Sequence, residues 1–407
     1  MKKFINKILR KKRLAQQYAV ACNRSQTIGD NFIKYKSYSF SNEQVSKIKN
    51  IALYLPQFHS IPENDEWWGK NFTEWNNVVK AVPQYLGQHQ PQLPIDLGFY
   101  DLLNEQTLVQ QVDIARNYGI YGFCYYFYWF NGRRILDKPL EILLNNEDIS
   151  MPFCLFWAND SWVRTWHGFS DFEQGDRTLL QQIHNDEDDV AVMEYLCKNI
   201  FNDIRYIKVN NKPVFVLYHI YLFKNINHTI EVWRRICKQN GFDDILILNV
   251  MMPDLTAVDP TTYGFDATLQ FSPIATLKED ASVEILNPQF SGDVYSYEAV
   301  VKDEIIRKFP HHNVVRGAFM AWDNEARRPT KGISYAGSSP QLFLEYLTSM
   351  SKYALDNKIN GESFVFINAW NEWAEGAHLE PDREYGYAWL EVVANVINFY
   401  NGVNNNE

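Results

Sequence analysis

The sequence predicts an α/β protein, a (β/α)₈ TIM-type barrel forming a single large domain with loop insertions over residues 50–400. Three observations carry that prediction. Eight short runs along this stretch are mostly continuously apolar, the pattern of parallel strands buried on both faces. Segments with apolar spacing near 3.6 separate them. Neither GxGxxG nor GxxxxGK[ST] follows any run, so the usual nucleotide signatures of the competing open, doubly wound sheet are missing. Barrels of this kind take about 250 residues, and over 400 with insertions, so 407 residues suit one such domain.

The runs and helices alternate in order. A basic tail and polar lead-in occupy 1–49, and the first run is Ile51–Leu55. Leu108, Val112 and Ala115 share a helix face ahead of the second run, Gly119–Tyr126. Leu140, Leu143 and Leu144 follow Pro139 and precede the third, Pro152–Trp157. Val190, Val192, Leu196 and Ile200 lead to the fourth, Pro213–Tyr218. Ile230, Trp233 and Ile236 end at Asn240 and Gly241, a good helix stop, before the fifth, Ile245–Val250. Residues 253–264 offer little helix ahead of the sixth, Ala267–Phe271. Val300, Ile305 and Ile306 precede the seventh, Val314–Met320. Leu342, Leu344, Leu347 and Tyr353 precede the eighth, Ser363–Ile367. Trp389, Val392, Val393 and Ile397 mark a closing helix, and 401–407 is a polar tail.

Composition narrows the function. Aromatic residues make up 15% of the chain, more than a core needs. The net charge is −10, although Lys2, Lys3, Lys7, Arg10, Lys11, Lys12 and Arg13 stand together at the start. The remainder is strongly acidic, so no nucleic-acid partner is expected. No apolar run reaches about eighteen residues, and basic residues interrupt Phe4, Ile5, Ile8 and Leu9 before a signal-peptide core develops. Residues 1–14 suit peripheral contact with an anionic membrane surface; the usual behaviour of termini favours a solvated arm. Cys22, Cys124, Cys154, Cys197 and Cys237 are odd in number and form no CxxC pair. They read as reduced thiols in a cytoplasmic protein, at the inner face of the membrane if the arm binds there.

In a barrel the site lies at the C-terminal ends of the strands. Tyr54 lies at the end of the first run, next to Leu55, and is followed by His59, Trp67, Trp68, Glu74 and Trp75. The second is followed by Tyr128 and Trp129, and the third by Trp157, Asn159, Asp160, Arg164 and Trp166. Tyr218 and His219 follow the fourth; Trp322, Asn324 and Arg327 follow the seventh. Trp370, Asn371, Glu372, Trp373, Glu375 and His378 follow the eighth. Indole faces stack on the C–H faces of pyranose rings, while Asn, Arg and carboxylates bond the hydroxyls. A buried indole N–H also needs a partner, which favours wet clefts. Any one Trp is as readily core material. Their recurrence over five strand ends favours an oligosaccharide or polysaccharide substrate.

Glu372 and Glu375 are the sharpest pair. Glycoside chemistry commonly uses one protonated carboxyl as acid and one ionised carboxylate as base or nucleophile. An apolar neighbour such as Trp373 keeps a carboxyl protonated near neutrality. The plainer alternative is that both acids open the last helix, where its dipole favours them. Glu375 and His378 also spell ExxH, but a di-iron site needs a second such motif, and none exists; no metal and no cofactor are expected. Asp186 and Asp188 match DxD within an acidic helix start, which reads as a solvated face. His311 and His312 read as loop.

These motifs in order resemble the WbsX-like proteins, a bacterial group related to family 99 of the glycoside hydrolases. The resemblance spans residues 50–400 and rests on Ile51–His59 with 62–69 (PENDEWWG), 72–75 (FTEW), 89–91 (HQP), 97–102 (LGFYDL), 128–132 (YWFNG), 157–159 (WAN), 322–324 (WDN) and 370–376 (WNEWAEG). It implies a place in surface-polysaccharide metabolism, O-antigen or capsule, and a group often described as glycosyltransferases. It also implies a (β/α)₈ barrel like the family 99 enzymes, which cleave internal α-mannosidic bonds with retention and without metal. By the same resemblance Glu375 is the general acid/base. Glu372 is the base that deprotonates the sugar 2-hydroxyl, which attacks the anomeric carbon to give a 1,2-anhydro intermediate. The chain departs from the pattern at Ala374, where the hydrolases carry His, and at Asp160, where the WbsX-like pattern carries Glu.

The expected function is therefore hydrolysis or transglycosylation of an α-mannoside-like glycan by Glu372 and Glu375. A nucleotide-sugar glycosyltransferase and a non-catalytic glycan-binding barrel are the alternatives.

Overall fold

The computed structural model describes residues 2–163, 178–310 and 313–402. Its eight main strands are β1 (Lys49–Tyr54), β2 (Gly122–Phe130), β3 (Phe153–Trp157), β4 (Lys212–Leu217), β5 (Leu246–Val250), β6 (Ala267–Leu269), β7 (Val314–Phe319) and β8 (Phe364–Asn368). All neighbouring pairs are parallel, from β2 beside β3 round to β7 beside β8. The ring closes because β1 pairs with both β2, Leu53 beside Cys124, and β8, Ile51 beside Phe366. The closed barrel and all eight runs are as the sequence predicts. The largest shift is in β2, which runs past the rim to Phe130 because it pairs there with Arg133–Ile135.

Helices alternate with the strands. Besides the N-terminal α1 (Lys2–Arg24), they are α2 (Glu105–Asn117), α3 (Lys138–Asn145), α4 (Asp186–Asn199), α5 (Ile226–Gln239), α6 (Tyr297–Ile306), α7 (Pro340–Asp356) and α8 (Ala388–Tyr400). The side chains of Asn104, Asn185, Asn225, Ser296 and Ser339 accept the free N–H groups that open α2, α4, α5, α6 and α7. Ile230, Trp233 and Ile236 of α5 are buried against the barrel as expected, whereas Ile305 and Ile306 at the end of α6, and Val190 of α4, are exposed. Between β5 and β6 there are only two 3₁₀ turns, Pro253–Leu255 and Pro260–Tyr263. Pro260 would fall in the interior of a longer helix begun at Pro253, where it lacks the N–H donor, and Gly264 in the left-handed conformation ends the second turn.

The basic segment lies within the helix α1 and is not frayed; from Lys12 to Arg24 the helix is mostly exposed. Leu14–Cys22 is rich in strong helix formers, and Arg13 and Arg24 pair with Glu284 and Glu384 of the barrel loops. Among the described residues no helix is long and apolar enough to cross a membrane. Cys124, Cys154, Cys197 and Cys237 are buried free thiols.

Candidate active site

The loop after β8 forms a tight hairpin in which Asn371–Glu372 pairs with Ala377–His378 around the 3₁₀ turn Trp373–Glu375. Residues three apart eclipse in such a turn, which puts Glu372 and Glu375 on one side. They do not open the last helix, since α8 starts only at Ala388. Asn371 bolts the hairpin to the end of β1: its Oδ1 accepts from Leu55 N at 2.7 Å, and its Nδ2 donates to Leu55 O at 3.0 Å. Trp373 Nε1 donates to Glu380 at 2.6 Å, and its ring stacks on His378. Glu380 also accepts from Tyr100 and Gln111, and burial pushes its carboxyl up to about 7.

Gly376 completes the turn at φ 62. A Cβ there would lie 2.8 Å from Gln92 Nε2 and 3.0 Å from Asp323 Cβ and N. Asp323 N donates to Glu375 O at 2.6 Å, so the crowding falls on the bond that fixes the Glu375 backbone. Gly376→Ala is expected to cost about 1 kcal/mol or more, lowering both Tm and turnover. Unchanged Tm and rate would show that the turn does not need glycine.

One guanidinium organises the acids. Arg327, at the end of the 3₁₀ turn after β7, donates from Nε to Glu74 Oε1 at 2.8 Å. Its Nη2 donates to Glu372 Oε2 at 2.9 Å and its Nη1 to Glu375 Oε1 at 2.5 Å. Glu74 from early in the chain and the neighbouring pair Glu372 and Glu375 from its end thus share one cation. Burial, with repulsion from Glu375 and Glu74, pushes Glu372 up to about 8 against the pull of Arg327. Burial and Glu74 raise Glu375 too. Buried carboxyls competing for one cation retain a proton in the neutral range. Tyr126 and Tyr128 border the pair, and burial together with these carboxylates holds both phenols in the protonated, donor form.

These groups line one end of a cleft of about 1320 Å³, larger than the roughly 300–1,000 Å³ of a drug-sized pocket. Tyr128, Asp160, Tyr218, His219, Trp322, Asn324, Arg327, Glu372 and Glu375 all line it. Asp160 Oδ2 lies 3.3 Å from His219 Nε2. Burial raises Asp160 to about 6 and lowers His219, so near neutrality a neutral imidazole faces a carboxylate.

Other predicted contacts are elsewhere. Trp75, Trp129, Trp157, Trp370 and Trp373 belong to the core instead of the cleft. Trp75 and Trp129 satisfy their indoles internally, on Tyr100 O and Asp188, which removes the reason to expect a wet cleft for them. Tyr54 is fully buried on Gln111, and His59 is fully buried, with burial lowering its pKa. Trp67 packs edge-on to Trp162 beside a smaller apolar cluster, and Trp68 packs near Phe72. Glu74, Asn159, Asn371 and His378 sit behind the cleft as supports. Asn159 ties β3 to β4 by exchanging two hydrogen bonds with the His219 backbone, and His378 bonds Asp382 at 3.0 Å. Arg164, Trp166 and the loop residues His311 and His312 lie outside the described residues. Asp188 is buried and accepts from Trp129, so the DxD is not simply a solvated face. Among the described residues no group of three or more His, Cys, Asp or Glu is arranged to hold a metal.

The sequence reading missed the wall supplied by residues 273–278, and Arg307, Arg328 and Tyr335. The segment after β6 contains no Trp, Asn or carboxylate up to Lys278, so nothing in its composition marked it as part of a site.

Comparisons with known proteins bear on this arrangement. A family model described as glycosyltransferase WbsX matches residues 50–393. An uncharacterized protein, WxcX, of Xanthomonas campestris pv. campestris strain B100 is 40% identical over 343 residues, 84% of this chain and 48% of that protein. WxcX of strain ATCC 33913 matches to the same extent, so the chain spans about half the length of the curated relatives it matches. Among solved structures, the GH99 endo-alpha-mannosidase of Bacteroides thetaiotaomicron is similar at a TM-score of 0.54 and 13% identity, covering 87% of this chain and 98% of that one. A glycoside hydrolase-like protein is similar at a TM-score of 0.51 and 12% identity, covering 90% of this chain and 98% of that one. At these identities the likeness is one of fold.

Proposed function

Since this chain belongs to the family described as glycosyltransferase WbsX, we propose that it is a glycan-active enzyme. In this reading Glu372 and Glu375 break and remake a glycosidic bond of a surface polysaccharide. The observation that carries it is the pair of buried carboxyls held on Arg327 at the floor of an oligosaccharide-sized cleft, at the barrel end where (β/α)₈ enzymes work.

The chemistry follows the family resemblance. The Glu375 carboxyl gives its proton to the glycosidic oxygen while the Glu372 carboxylate takes the proton of the sugar 2-hydroxyl. The 2-oxygen attacks the anomeric carbon, the bond to the leaving group breaks, and a 1,2-anhydro sugar forms. An incoming hydroxyl, from water or another sugar, gives its proton to Glu375 and opens the ring, and Glu372 returns the proton to the 2-oxygen. Two inversions give net retention. The route suits substrates whose 2-oxygen lies trans to the leaving group, as in α-mannosides.

The pair must carry one proton. The rate is therefore expected to fall in alkali as the proton leaves Glu375, and to fall in acid as Glu372 is protonated, with both limbs above the ordinary carboxyl range because burial raises both groups. A profile of kcat/KM against pH checks this; a rate that does not fall in alkali would count against a retained proton.

The family description favours a second reading, transfer from a nucleotide sugar. Mass spectrometry of the source organism's surface oligosaccharides separates the two. Wild type, Glu372→Gln and Glu375→Gln are incubated with and without a nucleotide-sugar pool. Cleavage or rearrangement without nucleotide, lost in both variants, supports the carboxylate pair. Gain of one sugar only with nucleotide present replaces it with the transferase. Binding without mass change in any tube leaves a glycan-binding barrel.

A further inference from the structure

The carboxylate floor accounts for only one stretch of the cleft. The segment after β6, Pro273 to Lys278, lines another, and Arg307 and Arg328 line the cleft as well. Arg307 Nη1 donates to Ala275 O at 2.7 Å, which fixes the guanidinium to the segment that carries Lys278 three residues on. Tyr335, also in the cleft wall, receives or gives a bond at 3.3 Å with Thr276 of that segment. The Lys278 ammonium lies 5.9 Å from the centre of the Tyr295 ring, which itself packs on Tyr335.

The charge of this stretch is not balanced internally. Arg307 pairs with the fully buried Glu304 at 2.8 Å, but Arg316 claims the same carboxylate at 2.7 Å. Two guanidiniums therefore share one anion. Lys278 and Arg328 are exposed, and neither makes a salt bridge among the described residues. In a chain of net charge −10, Lys278, Arg307 and Arg328 all line this cleft. Sugar hydroxyls do not need cations, because neutral and acidic side chains bond them. An uncompensated cationic wall gains most from a ligand that brings negative charge.

We infer that Lys278 and Arg307 form an anion subsite of the cleft, which receives a carboxylate or phosphate group of the glycan substrate. The substrate class is thus an acidic saccharide, a uronic acid or a sugar phosphate or diphosphate ester. This rests on the reading of the cleft as a saccharide site. It assigns a wall that the carboxylate chemistry leaves without a task.

The test is ligand-observed NMR on the full chain with four probes: glucose, glucuronic acid, glucose 1-phosphate and inorganic pyrophosphate. Wild type, Lys278→Glu and Arg307→Gln are compared, with Tm reporting whether each variant is folded. Wild type is expected to bind at least one charged sugar about tenfold more tightly than glucose. Lys278→Glu is expected to remove that advantage while leaving glucose unchanged, and added salt to weaken the charged sugars selectively. Preference for glucuronic acid or for glucose 1-phosphate identifies the source of the charge. Equal binding of neutral and charged sugars, indifferent to Lys278→Glu, would overturn the subsite and leave the glycan reading standing. Binding of none of the four would overturn it too. Binding of pyrophosphate alone, lost in Lys278→Glu, would uphold an anion site while counting against the glycan reading.

Discussion

Glu375→Gln is expected to lower turnover by about 10²–10⁴-fold, the usual worth of a general acid–base group, with the glycan still bound. The change removes the only group in the proposed route that serves both leaving and incoming oxygens, and it keeps the side-chain volume. It also removes one of the three carboxyls on Arg327, so the fold is not expected to suffer. A leaving group that needs no protonation, such as fluoride, separates the roles. Glu375→Gln is expected to recover the first step with a glycosyl fluoride, while Glu372→Gln, lacking the base for the 2-hydroxyl, is not. Equal and complete loss on the fluoride in both variants would argue against this division of labour.

Arg327→Met is expected to damage both stability and activity. Removing one partner of a buried ion pair typically costs about 3–5 kcal/mol, and here three carboxyls lose the same partner. Without the guanidinium Glu372 and Glu375 are held further above their unfolded values. A carboxyl raised by folding contributes stability that is present at low pH and lost as pH rises through its folded pKa. The Tm deficit of Arg327→Met is therefore expected to be small near pH 5 and large near pH 8, about where Glu372 titrates in the wild type. A deficit of the same size at both values would mean that Arg327 matters through packing alone. Arg327→Lys keeps the charge but has no planar fork to reach three acceptors, and is expected to recover Tm better than turnover.

Much of this architecture was legible beforehand, for definite reasons. Strands buried on both faces are written as uninterrupted apolar runs, and all eight could be placed. The lack of helix at 253–264 was visible in Pro253, Pro260 and Gly264. Glu372 and Glu375 stood out because a strand end and a tight turn are both local features. Trp75, Trp129, Trp157, Trp370 and Trp373 misled, although Trp322 does line the cleft, because an indole looks the same in sequence whether it faces sugar or core. What decides is the partner for its N–H, and Asp188 for Trp129 lies 59 positions away. The fork of Arg327 was equally hidden: its acceptor Glu74 is 253 positions earlier. The cationic wall was missed for another reason. Lys278 and Arg307 come from separate segments, and neither is unusual where it stands.

The clamp between Asn371 and Leu55 joins a late residue to an early one at the seam where β8 meets β1. Glu74 emerges from the ribosome long before Arg327, and Arg327 before the two acids it aligns. A nascent chain that already holds seven strands has the cation and the cleft wall but neither Glu372 nor Glu375. The last strand delivers them and closes the ring in the same event, so the proposed catalysis is expected of the finished circle alone. Truncated or half-folded products are expected to be inactive.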